Sequence, residues 1–156
     1  MSWDVSKWDK RFIALAELIS TWSKDPSTKV GCVIINPTSR AIVSTGYNGF
    51  PRDIMDEVIT RWERPAKYGF IEHAERNAIY NAAWLGHQTA GCQAFINWDP
   101  DSICTDCARA LLQAGIVRIV GPKGKSIPVK NQGGWHDHRH YAIEMLAEAG
   151  VEVVSV

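Results

Sequence analysis

Five bulky apolar residues near the start of the chain, Trp8, Phe12, Leu15, Ile19 and Trp22, recur at steps of four, three, four and three. That spacing lines one face of an amphipathic helix over 8–22. The pattern breaks at Lys24-Asp25-Pro26-Ser27. Residues 29–36 then read as a buried strand, Asn36-Pro37-Thr38-Ser39 as a turn, and 41–47 as a second strand closing a hairpin with the first. The polar stretch 48–68, with two prolines and many charges, reads as a long functional loop or a broken helix.

Beyond it the pattern alternates. Residues 73–85 are Ala-rich and helical, with Gly86 as C-cap. A strand follows over 93–98, then a helix over 105–114 stopped by Gly115 and a strand over 116–120. A loop rich in Gly and Lys spans 121–135. A helix over 138–149 ends at Gly150, and 151–156 form a final strand. One helix, two strands and three helix–strand units predict a layered α/β fold, with parallel pairs beyond the first hairpin. No internal repeat or low-complexity segment interrupts it.

At 156 residues, 46% of them apolar, the chain is long enough for one domain over 1–156 and short for two cores. Lys plus Arg equals Asp plus Glu at 17 each. A polymeric nucleic acid calls for a basic surface, so this balance points to a small substrate. No signal peptide is visible, and no apolar run approaches the roughly 20 residues a membrane helix needs. Cys104 and Cys107 form a C-x-x-C, which in a reducing cytosol is a metal or redox site more often than a staple. The expectation is a cytoplasmic protein.

Chemistry gathers at two helix starts. His73-Ala74-Glu75 opens one, and Cys104-Thr105-Asp106-Cys107 opens another about thirty residues later, with one strand between. Two parallel helices on one face of a sheet bring such openings together. One imidazole and two thiolates suit zinc, and a helix N-terminus favours thiolate over thiol. Three protein ligands leave a fourth tetrahedral position for water. Zinc lowers the pKa of water from about 15.7 toward roughly 7, so hydroxide can attack C4 of a cytosine. Glu75, two residues past the first ligand, would take the water proton, deliver it to ring N3 and later protonate the leaving amine. The H-x-E and C-x-x-C pair matches the signature of zinc deaminases. Two other readings stand beside this one. A structural zinc knot needs a fourth protein ligand from Cys92 or a distant His. A redox C-x-x-C leaves His73-Ala74-Glu75 unexplained.

These residues, extended to His73-Ala74-Glu75-Arg76-Asn77-Ala78-Ile79, Cys104-x-x-Cys107-Ala108-Arg109 and Gln113-Ala114-Gly115-Ile116, resemble the deoxycytidylate (dCMP) deaminases. So do Asp25-Pro26-Ser27-Thr28-Lys29-Val30-Gly31 and Gly46-Tyr47-Asn48-Gly49-Phe50-Pro51. The resemblance covers nearly the whole chain. It implies a three-layer cytidine deaminase-like fold, with a five-stranded mixed sheet between helices. It also implies hydrolysis of dCMP to dUMP and ammonia, homo-oligomers (often hexamers), and control by dCTP and dTTP bound with Mg²⁺. Asn48 is implied to help hold the sugar and to order the active-site loop. The effector region is implied at Tyr47, Asn48, Gly49 and Phe50, leading into a loop with Arg52, Arg61, Arg64 and Lys67. Ala74 joins the substrate-facing set. Ile103 stands where the family has Pro, after a longer connection from Asp99 through Ser102. Ser102 becomes the carrier of the carbonyl that meets the cytosine amino group, and Asp99 and Asp101 are expected near the base edge, where they could admit a C5-substituted cytosine.

Lys29 reads either as facing a nucleotide phosphate or as a solvated strand edge. Trp135-His136-Asp137-His138-Arg139-His140 reads as a polar loop entering a helix, because histidines at every second position do not share a helical face. Cys32 and Cys92 read as small buried apolar residues. Gly121-Pro122-Lys123-Gly124-Lys125 is a weak phosphate signal. Within the same superfold the rival activity is tRNA adenosine deamination, which the neutral charge and the Gly46-Tyr47-Asn48-Gly49 context disfavour. A non-catalytic zinc module is the rival outside enzymology, and the intact Glu75 disfavours it.

Overall fold

The computed structural model describes residues 5–126 and 139–156. Helix α1 (Val5–Ser20) leads into strands β1 (Gly31–Ile35) and β2 (Ile42–Tyr47). After them come α2 (Ala66–Phe70), α3 (Ala74–Leu85), β3 (Gln93–Ile96), α4 (Thr105–Gln113), β4 (Arg118–Gly121), α5 (Arg139–Glu148) and β5 (Glu152–Ser155). Single 3₁₀ turns lie at Ile59–Trp62 and Pro100–Ser102. The expected order of helices and strands is present, and the 48–68 stretch is mostly irregular loop, with the Ile59–Trp62 turn and the start of α2 as its helical pieces. Helix α1 stops at Ser20, so Trp22 leaves the buried face, 56% exposed, and meets the Tyr47 ring edge-on at 6.1 Å.

The five strands form one sheet in the order β2-β1-β3-β4-β5. β3 pairs with β4 and β4 with β5 in parallel, but β1 pairs antiparallel with both β2 and β3. The parallel pairs expected beyond the first hairpin are present at β3–β4 and β4–β5, while β1 joins them through an antiparallel pair with β3. The reason is burial. All five residues of β1 are buried, so it needs a neighbour on each side, whereas β2 is half exposed and serves as the edge. The chain crosses from edge strand β2 over β1, and β3 arrives parallel to β2 and therefore antiparallel to β1.

Successive side chains point to opposite faces of the sheet and build two cores. Val33, Ile35, Phe95 and Val120 meet Phe12, Ala16 and Ile19 of α1. Cys32, Ile34, Ala94, Ile96 and Ile119 meet Ala74, Ala78, Cys107, Leu111, Ala142 and Leu146 of α3, α4 and α5. The result is a helix–sheet–helix sandwich. A buried ion pair locks α1 to the sheet: Arg118 Nη1 and Nη2 donate to Asp9 Oδ1 and Oδ2 at 2.8 and 2.7 Å. Among the described residues, no helix is long and apolar enough to cross a membrane.

Candidate metal centre and active site

His73 is the N-cap of α3 and Cys104 the N-cap of α4, both in extended backbone. The two helices start at the same end of the sheet, α3 after the excursion that follows β2 and α4 after β3. Cys104 Sγ accepts a hydrogen bond from the Cys107 amide at 3.4 Å, which folds the C-x-x-C back on itself. His73 Nδ1 then lies 3.5 Å from Cys104 Sγ and 3.4 Å from Cys107 Sγ, and all three donor atoms lie within 4.8 Å of one another. Zinc at about 2.3 Å from sulfur and about 2.1 Å from nitrogen in a tetrahedron sets an N···S edge of about 3.6 Å. Both nitrogen–sulfur separations therefore match the spacing that zinc requires. Among the described residues this is the group of His, Cys, Asp and Glu side chains fit to hold a metal ion. Cys92 is buried elsewhere, with its Sγ 3.6 Å from the Gln88 carbonyl, and Cys32 is sealed in β1, so both behave as the small apolar residues expected. His136 and His138 lie outside the described residues.

Glu75 is buried, and its Oε2 is 3.5 Å from Cys107 Sγ. Burial raises its pKa above the ordinary carboxylate value. The Cys104 thiol is held down to about 4, first by its hydrogen bond with Cys107 and then by His73, while burial pushes the Cys107 thiol up. Burial disfavours a charged His73, but the adjacent Cys104 outweighs it and raises the imidazole pKa. A residue that sequence reasoning assigned no role joins this group. Arg76 points Nη1 at Cys107 Sγ, 3.8 Å away, pairs with Asp106 at 3.7 Å, and bonds Glu72 through Nε. Its signal in the sequence was the Glu72–Arg76 pair, one helical turn apart, just before and inside the helix start.

The other sequence-derived positions divide into two groups. Lys29, Ser102 and Asn48 have side chains already hydrogen-bonded within the protein, and Ala74 opens α3. Ala74 is fully buried, leaving its backbone as the part that can meet a ligand. Lys29 is exposed, its ammonium donates to the Ser23 carbonyl, and its own carbonyl accepts from Asn97 and Trp98. Ser102 is buried, with its hydroxyl and amide on the Asp99 carbonyl at 2.6 and 2.9 Å. Asn48 accepts from the Val30 amide at 2.9 Å and donates to Asp25 and to the Thr28 carbonyl.

Tyr47, Gly49 and Phe50 line a separate cleft of about 320 Å³, with Arg52 and Glu72. Asn48 turns the other way, into the protein. Of the four cations of the 50–71 excursion, Arg52 reaches the cleft. Arg61 bonds the Met55 carbonyl, Arg64 bonds Tyr68, and Lys67 is buried against Asp25.

Asp99 corrects one expectation. Its Oδ1 accepts from the Asp101 amide and the Ser155 hydroxyl, and its Oδ2 from the Gly124 amide. The carboxylate caps the 3₁₀ turn at Pro100–Ser102 and ties it to β5, so it does not face a base edge. The additional residues before Cys104 are absorbed in that turn, and Ile103 fills the core at 3% exposure. Lys125 pairs with Glu17 at 2.7 Å and is engaged there.

Residues 6–121 match the cytidine and deoxycytidylate deaminase zinc-binding region. An uncharacterized deaminase from the luxG 3′ region of Aliivibrio fischeri is 38% identical over 149 residues, covering 96% of this chain and 93% of that protein. Human deoxycytidylate deaminase is 37% identical over 123 residues, or 75% of this chain and 65% of that one, so the match spans about two thirds of the mammalian protein. In fold, the dCMP deaminase of cyanophage S-TIM5, solved in complex with dCMP and dUMP, superposes over both complete chains with a TM-score of 0.73 at 24% identity. The fold, the His73–Cys104–Cys107 donor set and the match over 6–121 together show that the chain belongs to the cytidine and deoxycytidylate deaminase family, in the dCMP deaminase branch of the zinc-dependent deaminases.

Proposed function

We propose that this protein hydrolyses dCMP to dUMP and ammonia. The observation that carries the reading is a buried carboxylate, Glu75, beside a His–Cys–Cys donor set with zinc spacing. Zinc held by His73, Cys104 and Cys107 would lower the pKa of water from about 15.7 to about 7, which supplies a nucleophile at neutral pH. Glu75 accepts the proton that the attacking water releases and delivers it to N3 of the ring, then takes the remaining proton from the new C4 hydroxyl and passes it to the amine leaving C4. The Ser102 carbonyl accepts from the amino group on C4, and the Ala74 backbone at the first turn of α3 meets the base. Lys29 faces the phosphate. Asn48 acts on the sugar side, where its amide orders the 25–30 segment. The choice of dCMP is supported by relatives that carry that activity in their names, and by the zero net charge, which suits a small nucleotide better than a nucleic-acid strand.

Regulation and assembly belong to the same reading. The cleft at Tyr47, Gly49, Phe50 and Arg52 takes a deoxynucleoside triphosphate with Mg²⁺, dCTP favouring the active arrangement and dTTP the inactive one. Large apolar side chains such as Met55, Ile59, Trp84 and Leu85 are 64–76% exposed, which supports a homo-oligomer, with a hexamer as the expected form and the cytoplasm as the expected location.

The deciding experiment is ammonia release from dCMP, dCTP, CMP, deoxycytidine and 5-methyl-dCMP under one set of conditions. dCMP is expected to have the highest kcat/KM, and turnover of another compound in its place would overturn the substrate. Superimposable rate curves with and without dCTP or dTTP, magnesium present, would overturn the regulation.

A further inference from the structure

Lys67 is a sealed cation that the mechanism above does not use. The Lys67 side chain is 8% exposed and that of Asp25 2%. Lys67 Nζ donates to Asp25 Oδ1 at 2.8 Å and to Ser27 Oγ at 2.9 Å. Asp25 also caps the turn it begins: Oδ1 accepts from the Ser27 and Thr28 amides at 2.8 and 3.2 Å, and Oδ2 accepts from Asn48 Nδ2 at 3.1 Å. Asn48 closes the ring on the Thr28 carbonyl and the Val30 amide.

Three distant segments meet here. Lys67 belongs to α2, within the 50–71 excursion. That excursion leaves the sheet after β2 and returns at a bridge between Gly49 and Glu72, one residue before His73. Asp25 belongs to the turn between α1 and β1. The end of that turn is tied to the connection that carries Cys104: the Lys29 carbonyl accepts from Asn97 and Trp98, which follow β3 and lead toward Cys104.

We propose that Lys67 is a positioning residue for the deaminase. By pairing with Asp25 it holds the 25–29 turn and Asn48 in the arrangement that receives the nucleotide, without touching the nucleotide itself. This rests on the proposed deamination. Removing one partner of a buried pair leaves the other charge uncompensated, and the turn must open to hydrate it. The zinc donors and Glu75 sit on α3 and α4, outside the ring of bonds around Lys67, so the loss falls on substrate binding more than on the chemical step.

The test compares Lys67→Met, Asp25→Asn and the double variant with the wild type, each as full-length zinc-loaded enzyme. Zinc per chain, kcat and KM for dCMP, and amide hydrogen exchange over 24–30 are measured. Each single variant is expected to keep its zinc and to raise KM about tenfold or more, with kcat within about threefold. The double variant, with no unpaired charge left, is expected to recover much of that KM. Should Lys67→Met not fold, Asp25→Asn against the double variant gives the same comparison. Unchanged KM in the single variants, a fall in kcat that tracks lost zinc, or a double variant worse than both singles would overturn the proposal. If the wild type does not turn over dCMP, the substrate reading fails by itself. Faster exchange at 25–30 in Lys67→Met, with α4 unchanged, then still supports the clamp, and wild-type exchange there overturns it.

Discussion

Glu75 Oε2 lies 3.5 Å from Cys107 Sγ, across the junction of α3 and α4. A carboxylate so close to a metal-ligand sulfur is placed to serve whatever binds beside the metal, without being one of the three clustered donors. Glu75→Ala is therefore expected to keep about one zinc per chain and to lose about 10²–10⁴-fold in kcat, the usual weight of a positioned acid–base group. Metal analysis and ammonia release on the same preparation check this, and full activity would end the proposed role.

Cys104 and Cys107 differ from Glu75 in that respect. Replacing either with Ala removes one corner of the donor set, so metal and activity are expected to fall together. Chelation of the wild type followed by zinc addition is expected to abolish and restore turnover. X-ray absorption is expected to show two sulfurs, one nitrogen and one light atom from solvent. A spectrum with four protein ligands would identify a structural knot instead.

Gly46 carries β2 against the first turns of α3. A Cβ there would stand 2.3 Å from the Ala78 amide nitrogen and 2.4 Å from the Ala74 carbonyl oxygen, both backbone atoms that cannot rotate away. Gly46→Ala is expected to push α3 outward and to cost about 1–3 kcal/mol in urea unfolding, the usual range for overpacking. Because His73 and Glu75 sit at the start of that helix, zinc affinity is expected to fall as well. An unchanged unfolding midpoint with unchanged zinc content would count against this contact.

The Asp25 carboxyl has a pKa below its ordinary 3.8. Burial alone would raise it, but Lys67 and the Ser27 and Thr28 amides outweigh burial. A carboxyl with a depressed folded-state pKa adds stability that is fully present above its unfolded value and is lost as pH falls through the folded one. Its contribution is expected to be constant at neutral pH and to disappear below about pH 4. Melting temperatures from pH 7 to pH 2 should show a shallower acid limb in Asp25→Asn than in the wild type. Parallel limbs would mean that Asp25 titrates alike in both states.

Much of this arrangement was legible along the chain. The steps of Phe12 and Ile19 marked α1, and Gly86, Gly115 and Gly150 marked the ends of α3, α4 and α5, because helix periodicity and left-handed caps are local properties. His73, Glu75, Cys104 and Cys107 were legible because metal ligands are few in kind and keep short spacings. Three features depended on the folded chain. The antiparallel β1–β3 pair follows from which strand needs two neighbours, which is a matter of burial across the sheet. Asp99 faces the Gly124 amide and Ser155, and Arg118 faces Asp9, across separations that no local pattern encodes. Asn48 and Lys67 read as a sugar contact and a loop charge, yet both close on Asp25. Local spacing by itself determined the elements and the chemistry of the metal ligands. Only the tertiary structure decided which polar side chains remain available to a substrate, because a buried charge or amide takes whatever partner the packing brings within reach.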